Sequence, residues 1–89
     1  MIDFIYINIP CKGCIELIED TLDSNQEIFS YDITENNVYE DIFLLINYCY
    51  NYNTTTSAII EESVVDKGFS INGMIPEEQK IILENACCN

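Results

Sequence analysis

The sequence predicts an α/β fold in a single domain, residues 1–89, with elements in the order β-α-β-α-β-β-α. Three observations predict it. The chain has 89 residues, 48% of them hydrophobic, which suits one small core and is short for two. Its first segment is apolar on both of its alternating faces, as in a central strand covered on two sides. Beyond that segment, runs with helical period and runs with strand-like alternation succeed one another.

Residues 2–9 carry Ile2, Phe4 and Tyr6 on one face and Ile5, Ile7 and Ile9 on the other. Pro10 ends this strand, because it has no N–H to give to a ladder. After Cys11-Lys12-Gly13, the residues Cys14, Leu17, Ile18 and Thr21 or Leu22 recur at helical spacing, with Glu16, Glu19, Asp20 and Asp23 on the other face. Residues 27–33 read as a second strand and 34–37 as a turn. Ile42, Leu45, Ile46 and Cys49 fall at i, i+3, i+4 and i+7, which predicts a helix over 38–52. The polar stretch 51–57 is the main internal break. Segments 57–62 and 63–71 are expected to form a hairpin through Ala58, Ile59 and Ile60 and then Val64, Val65, Phe69 and Ile71. Pro76-Glu77-Glu78 opens a last helix, since Pro fits the first helical position and the acids suit its N-terminus. Gln79, Ile82, Leu83 and Ala86 are its expected buried stripe.

Composition removes several functions. With 16 acidic residues against three Lys, and a formal charge of −13, neither nucleic acid nor an anionic membrane surface is an expected partner, because phosphate contacts need clustered cations. No His is present, which excludes imidazole-dependent triads and His-ligated zinc. The N-terminus has no basic region ahead of its apolar run, and no stretch nears the ~18 apolar residues of a membrane span. The expected location is cytoplasmic. There, closely spaced cysteines more often bind metal or do redox work than staple a fold. Five is an odd number of cysteines, so they cannot all pair within one chain.

The chemistry concentrates in Cys11-x-x-Cys14 at the strand-to-helix junction. A cysteine at a first helical turn lies near unpaired N–H groups and the positive end of the helix dipole, and both stabilise a thiolate. Lys12 adds a cation beside Cys11, and Glu16, Glu19 and Asp20 oppose it. A second cysteine three residues on can resolve a mixed disulfide. Cys49 reads as a small core hydrophobe. Cys87-Cys88 at the chain end has two readings: a frayed terminal pair with no task, or a second redox pair or soft-metal ligands that serve Cys11 and Cys14. Tyr48, Tyr50 and Tyr52 are expected to pack at the end of the second helix with their hydroxyls reaching water.

From Asp3 to Cys14 the chain resembles the first strand and Cys-x-x-Cys of the thioredoxin-like superfamily, glutaredoxins and small redox-active disulfide proteins in particular. Tyr31 to Asn36 resembles that family's second strand and its exit, and Asn72 to Glu78 resembles the Gly before its final helix. The resemblance implies a four-stranded mixed sheet with helices on both faces. It implies a thiol–disulfide oxidoreductase in which Cys11 attacks and Cys14 resolves. No cofactor is implied. The partners would be a disulfide-bearing protein or small thiol as substrate and a reductase as electron donor. Thr56 and Ser57 fall at the family's substrate loop, where Ser57 replaces the usual cis-Pro. A cis bond there would cost about 3 kcal/mol, so a trans peptide is expected. Ile5 replaces a frequent acid, and the family's glutathione contacts are absent.

The alternative is a soft-metal carrier for copper, zinc or mercury, of the heavy-metal-associated, ferredoxin-like type. Such domains also place Cys-x-x-Cys after a first strand, and Ala58 to Phe69 resembles their second helix and the Gly-Phe after it. A binding module or a vestigial redox domain is a third possibility. Residues 38–71 discriminate: helix then hairpin supports the redox fold, strand then helix the metal carrier.

Overall fold

Three segments rich in β-branched and aromatic residues form strands. The structure, a computed structural model, describes residues 1–88, and Asn89 lies outside the described residues. The elements run β1 (Ile2–Ile9), α1 (Cys14–Asp23), β2 (Ile28–Val38), β3 (Asp41–Tyr50), α2 (Ser57–Val65) and α3 (Glu77–Cys87). The sheet has the order β1-β3-β2, and both pairings are antiparallel.

This overturns the expected four-stranded mixed sheet with helices on both faces. The sheet has three strands and no parallel pair, and the buried residues of the helices join a core on one sheet face. Ile5, Ile7 and Ile9 of β1 and Leu44, Ile46, Tyr48 and Tyr50 of β3 share that core with Ile18, Leu22, Ile60, Val64 and Leu83 from the helices. The opposite face leaves Ile2 and Phe4 exposed, although Tyr6 stacks on Phe43 there with ring centroids 5.2 Å apart.

The strand β3 stands where a helix was expected, for a physical reason. Residues 42–50 are apolar except at Asn47, so a helical stripe and a strand alternation can both be drawn on them. Burial of Leu44, Ile46, Tyr48 and Tyr50 at every second position shows the period that holds. Ile42, Phe43, Ile46 and the two tyrosines suit a pleated surface better than a helix. Cys49 is therefore on a strand, half-buried and unpaired. Of the three tyrosines, Tyr48 and Tyr50 enter the core and Tyr52 is exposed. Residues 34–37 belong to β2 rather than to a turn. The chain reverses instead between Val38 and Asp41, where Tyr39 adopts a left-handed φ of 58°.

The expected hairpin over 57–71 is a helix followed by a coil. Thr56 caps α2 by accepting the Ile59 N–H at 3.3 Å, and Ile60 and Val64, four apart, bury its inner side. Thr56 and Ser57 thus begin a helix instead of opening a strand at a substrate loop, and no peptide among the described residues is cis. Beyond Gly68, whose φ of +104° favours glycine, Phe69 is buried and Ile71 makes an antiparallel bridge to Ile7. Residues 38–71 therefore run strand then helix. The elements run β-α-β-β-α-α, and the isolated bridge of Ile71 lies beside β1.

β1, α1 and the start of α3 form where expected. Cys14, Ile18 and Leu22 are the buried stripe of α1. In α3 the stripe is narrower than expected: Leu83 is buried, while Ile82 is 64% exposed. Gln79 fixes the start of α3 by donating to the Gly68 carbonyl and accepting from the Ser70 hydroxyl.

Candidate metal centre

The site begins where β1 ends. After Pro10, the Cys14 N–H donates to the Cys11 carbonyl at 3.2 Å and the Ile15 N–H to the Lys12 carbonyl at 3.1 Å. This tight turn leads into α1 with Gly13 at its N-cap. Cys14 is fully buried as the first residue of the inward stripe, and Cys11 stands one turn back, half-buried.

The last turn of α3 brings Cys87 and Cys88 to the same corner. Cys11 is disulfide-bonded to Cys88, with Cα atoms 5.9 Å apart, and Cys14 to Cys87, with Cα atoms 5.0 Å apart. Each bond crosses from the β1–α1 corner to the end of the chain. The four Sγ atoms lie within 4.8 Å of one another, and the Sγ atoms of Cys14 and Cys88, which are not bonded together, are 4.0 Å apart. Gly13 makes the approach possible. A Cβ at this position would overlap the Cys87 carbonyl oxygen, so α3 could not seat so closely against any other residue.

Lys12 is not held for the sulfurs. Its Nζ lies 3.4 Å from the Glu35 carboxylate on β2. The Asn37 side-chain amide donates to that carboxylate, and with Lys12 it holds Glu35 below the usual carboxylate range.

Cys11 and Cys14 lie at the strand-to-helix junction, but the expected redox disulfide between them is not formed, because each is bonded to a C-terminal cysteine. Thr56 and Ser57 have structural roles at the α2 cap. Cys87 and Cys88, read from the sequence either as a frayed end or as partners of Cys11 and Cys14, stand beside that first pair, and their sequence carries a signal. With Cys49 placed in an apolar run, the remaining four cysteines make two close pairs, and the second pair ends an amphipathic helix. The chain matches no family model, no curated protein and no solved structure. Among the described residues, no helix is long and apolar enough to cross a membrane.

Proposed function

We propose that Cys11, Cys14, Cys87 and Cys88, in their thiolate state, bind one soft metal ion, with zinc the best fit. One observation carries this reading: four sulfurs within 4.8 Å of one another. A tetrahedral zinc with Zn–S bonds of about 2.3 Å needs sulfurs about 3.8 Å apart, so the reduced set fits an ion once the two bonded pairs part and the wider pairs draw in. Thiolate donors favour thiophilic ions such as zinc and copper(I) over hard cations, and four donors match zinc's tetrahedral preference. The strand-then-helix order of 38–71 supports the same side of the choice between metal and exchange chemistry.

The donor set is closed, with four ligands and Cys14 fully buried. That suits a retained ion, since a site that passes metal on or does chemistry keeps a position open. The ion would fasten α3 to the β1–α1 corner, and Gly13 would set the approach of the two halves. A disulfide-exchange cycle asks instead for Cys11 and Cys14 paired with each other and Cys11 open to a substrate, whereas each is turned to a C-terminal partner. A reducing compartment such as the cytoplasm would keep the four thiols available.

The test is anaerobic titration of the fully reduced protein with Co²⁺, followed by displacement with Zn²⁺. The expected result is one ion per chain with the intense visible bands of tetrahedral thiolate coordination. Serine at Cys87 or Cys88 should weaken binding as much as serine at Cys11. An absence of binding, or binding indifferent to Cys87 and Cys88, overturns the proposal. Tighter binding of copper(I) than of zinc would revise the choice of ion.

A further inference from the structure

The same four sulfurs fit two states that exclude each other. In the structure they form two disulfides, and a sulfur in a disulfide is no longer a thiolate donor. As thiolates, with each bonded pair parted and the wider pairs drawn in, they match one tetrahedral ion. In both states the linkages run between the β1–α1 corner and the end of α3, so exchanging one state for the other asks for no rearrangement of the chain. The geometry points to an oxidative metal-release switch, in which a peroxide converts the metal-thiolate centre into the crossed disulfide pairs and ejects the ion while α3 stays fastened. This inference rests on the metal reading above.

The chemistry balances with peroxide as the oxidant. A zinc tetrathiolate, two hydrogen peroxide molecules and four protons give two disulfides, one Zn²⁺ and four waters. Each disulfide takes two electrons from two thiolates, and each peroxide accepts two electrons and two protons. Burial sets the route. Cys11, Cys87 and Cys88 are partly exposed, and Cys14 is fully buried. For the Cys11–Cys88 pair, peroxide oxidises either partly exposed sulfur to a sulfenic acid and releases water. The neighbouring thiolate attacks that sulfur and expels hydroxide, which protonation turns to water, closing Cys11–Cys88. The second peroxide oxidises Cys87. Cys14, sealed from the oxidant but within reach of Cys87, attacks there and closes Cys14–Cys87. Metal coordination weakens at the first disulfide and ends at the second.

The experiment loads the reduced full chain with zinc, removes excess metal, adds hydrogen peroxide and follows zinc with a chromophoric chelator. The expected result is release of one zinc per chain, reversed when a thiol reductant and zinc are restored. Tryptic mapping reads the pairing, because Lys12 separates Cys11 from Cys14 and Lys80 separates Cys87 and Cys88 from the rest. Crossed pairs join fragments 1–12, 13–67 and 81–89 in one species. Pairing within Cys11-x-x-Cys14 joins only the first two and overturns the inference. So does zinc that stays bound while the thiols oxidise no further. A reduced protein that binds no zinc defeats the metal reading and takes the switch with it, and zinc bound but not released defeats the switch alone. Cys49→Ser, which removes the unpaired fifth thiol, should release zinc as the wild type does.

Discussion

Gly13 separates the two cysteines of the first pair, and its importance is steric. Its φ of −60° and ψ of −25° are open to any residue, so alanine would not strain the backbone. A methyl group at this position would meet the backbone carbonyl of Cys87, which cannot rotate away as a flexible side chain would. Gly13→Ala should therefore lower zinc affinity by about 10-fold or more, the scale seen when a residue that supports metal ligands is changed, with little change in the far-UV circular dichroism of the rest of the chain. Competition with a chelator of known affinity measures it. Tyr48 is a second residue whose sequence hides its state. Its hydroxyl is buried and, among the described residues, is the one buried side-chain polar atom with no hydrogen-bond partner. An unpaired buried hydroxyl costs about 1–3 kcal/mol. Tyr48→Phe should accordingly leave stability unchanged or raise it by about 1 kcal/mol in urea denaturation, where a paired hydroxyl would give a loss.

Among the elements, α3 depends most on the cysteine cluster. It spans Glu77–Cys87, its N-cap Pro76 has no side-chain cap bond, and Leu83 is its one buried residue. An isolated helix of this length is marginal in water. Its start is held by Gln79 and its end by the sulfurs. The prediction is that reduced, metal-free protein loses α3 first. Trypsin should cut after the half-buried Lys80 much faster in that state than in the zinc-loaded or oxidised states, and equal rates would show that packing alone holds the helix. The elements also show where sequence reading succeeds. β1 and α1 were legible because Pro10, the Cys-x-x-Cys turn and the acids of α1 mark their boundaries. β3 was not, because residues 42–50 offer apolar side chains to either period. α2 was not, because Ile59, Ile60, Val64 and Val65 favour a strand locally, while the Thr56 cap and the core contact of Ile60 and Val64 make the helix.

The whole molecule carries a charge of −13, and the phenol of Tyr31 sits beside three of its acids. Its hydroxyl donates to the Asp23 carboxylate at 2.7 Å. That bond, with burial and the nearby charges of Asp23, Glu19 and Asp20, pushes its pKa up to about 12. In the unfolded chain a tyrosine ionises near 10. A group whose folded pKa is raised contributes stability that is complete below the unfolded value and is lost as pH climbs to the folded one. Between about pH 10 and 12 the protein should lose stability through Tyr31. Tyr31→Phe should flatten that part of a denaturation-midpoint profile, and an identical alkaline slope in the variant would show that Tyr31 plays no part.

By itself the sequence determined the acidic surface, the absence of any imidazole, the opening strand, the helix that follows it and the placement of Cys11 and Cys14 at their junction. These are local properties, set by residue type and by spacing along a few turns. The tertiary structure alone decided the antiparallel order of the sheet and the meeting of Cys87 and Cys88 with the first pair. Strand period in an apolar run is chosen by which face finds a core, and sulfurs more than 70 residues apart in sequence become neighbours only when α3 packs beside a residue with no side chain.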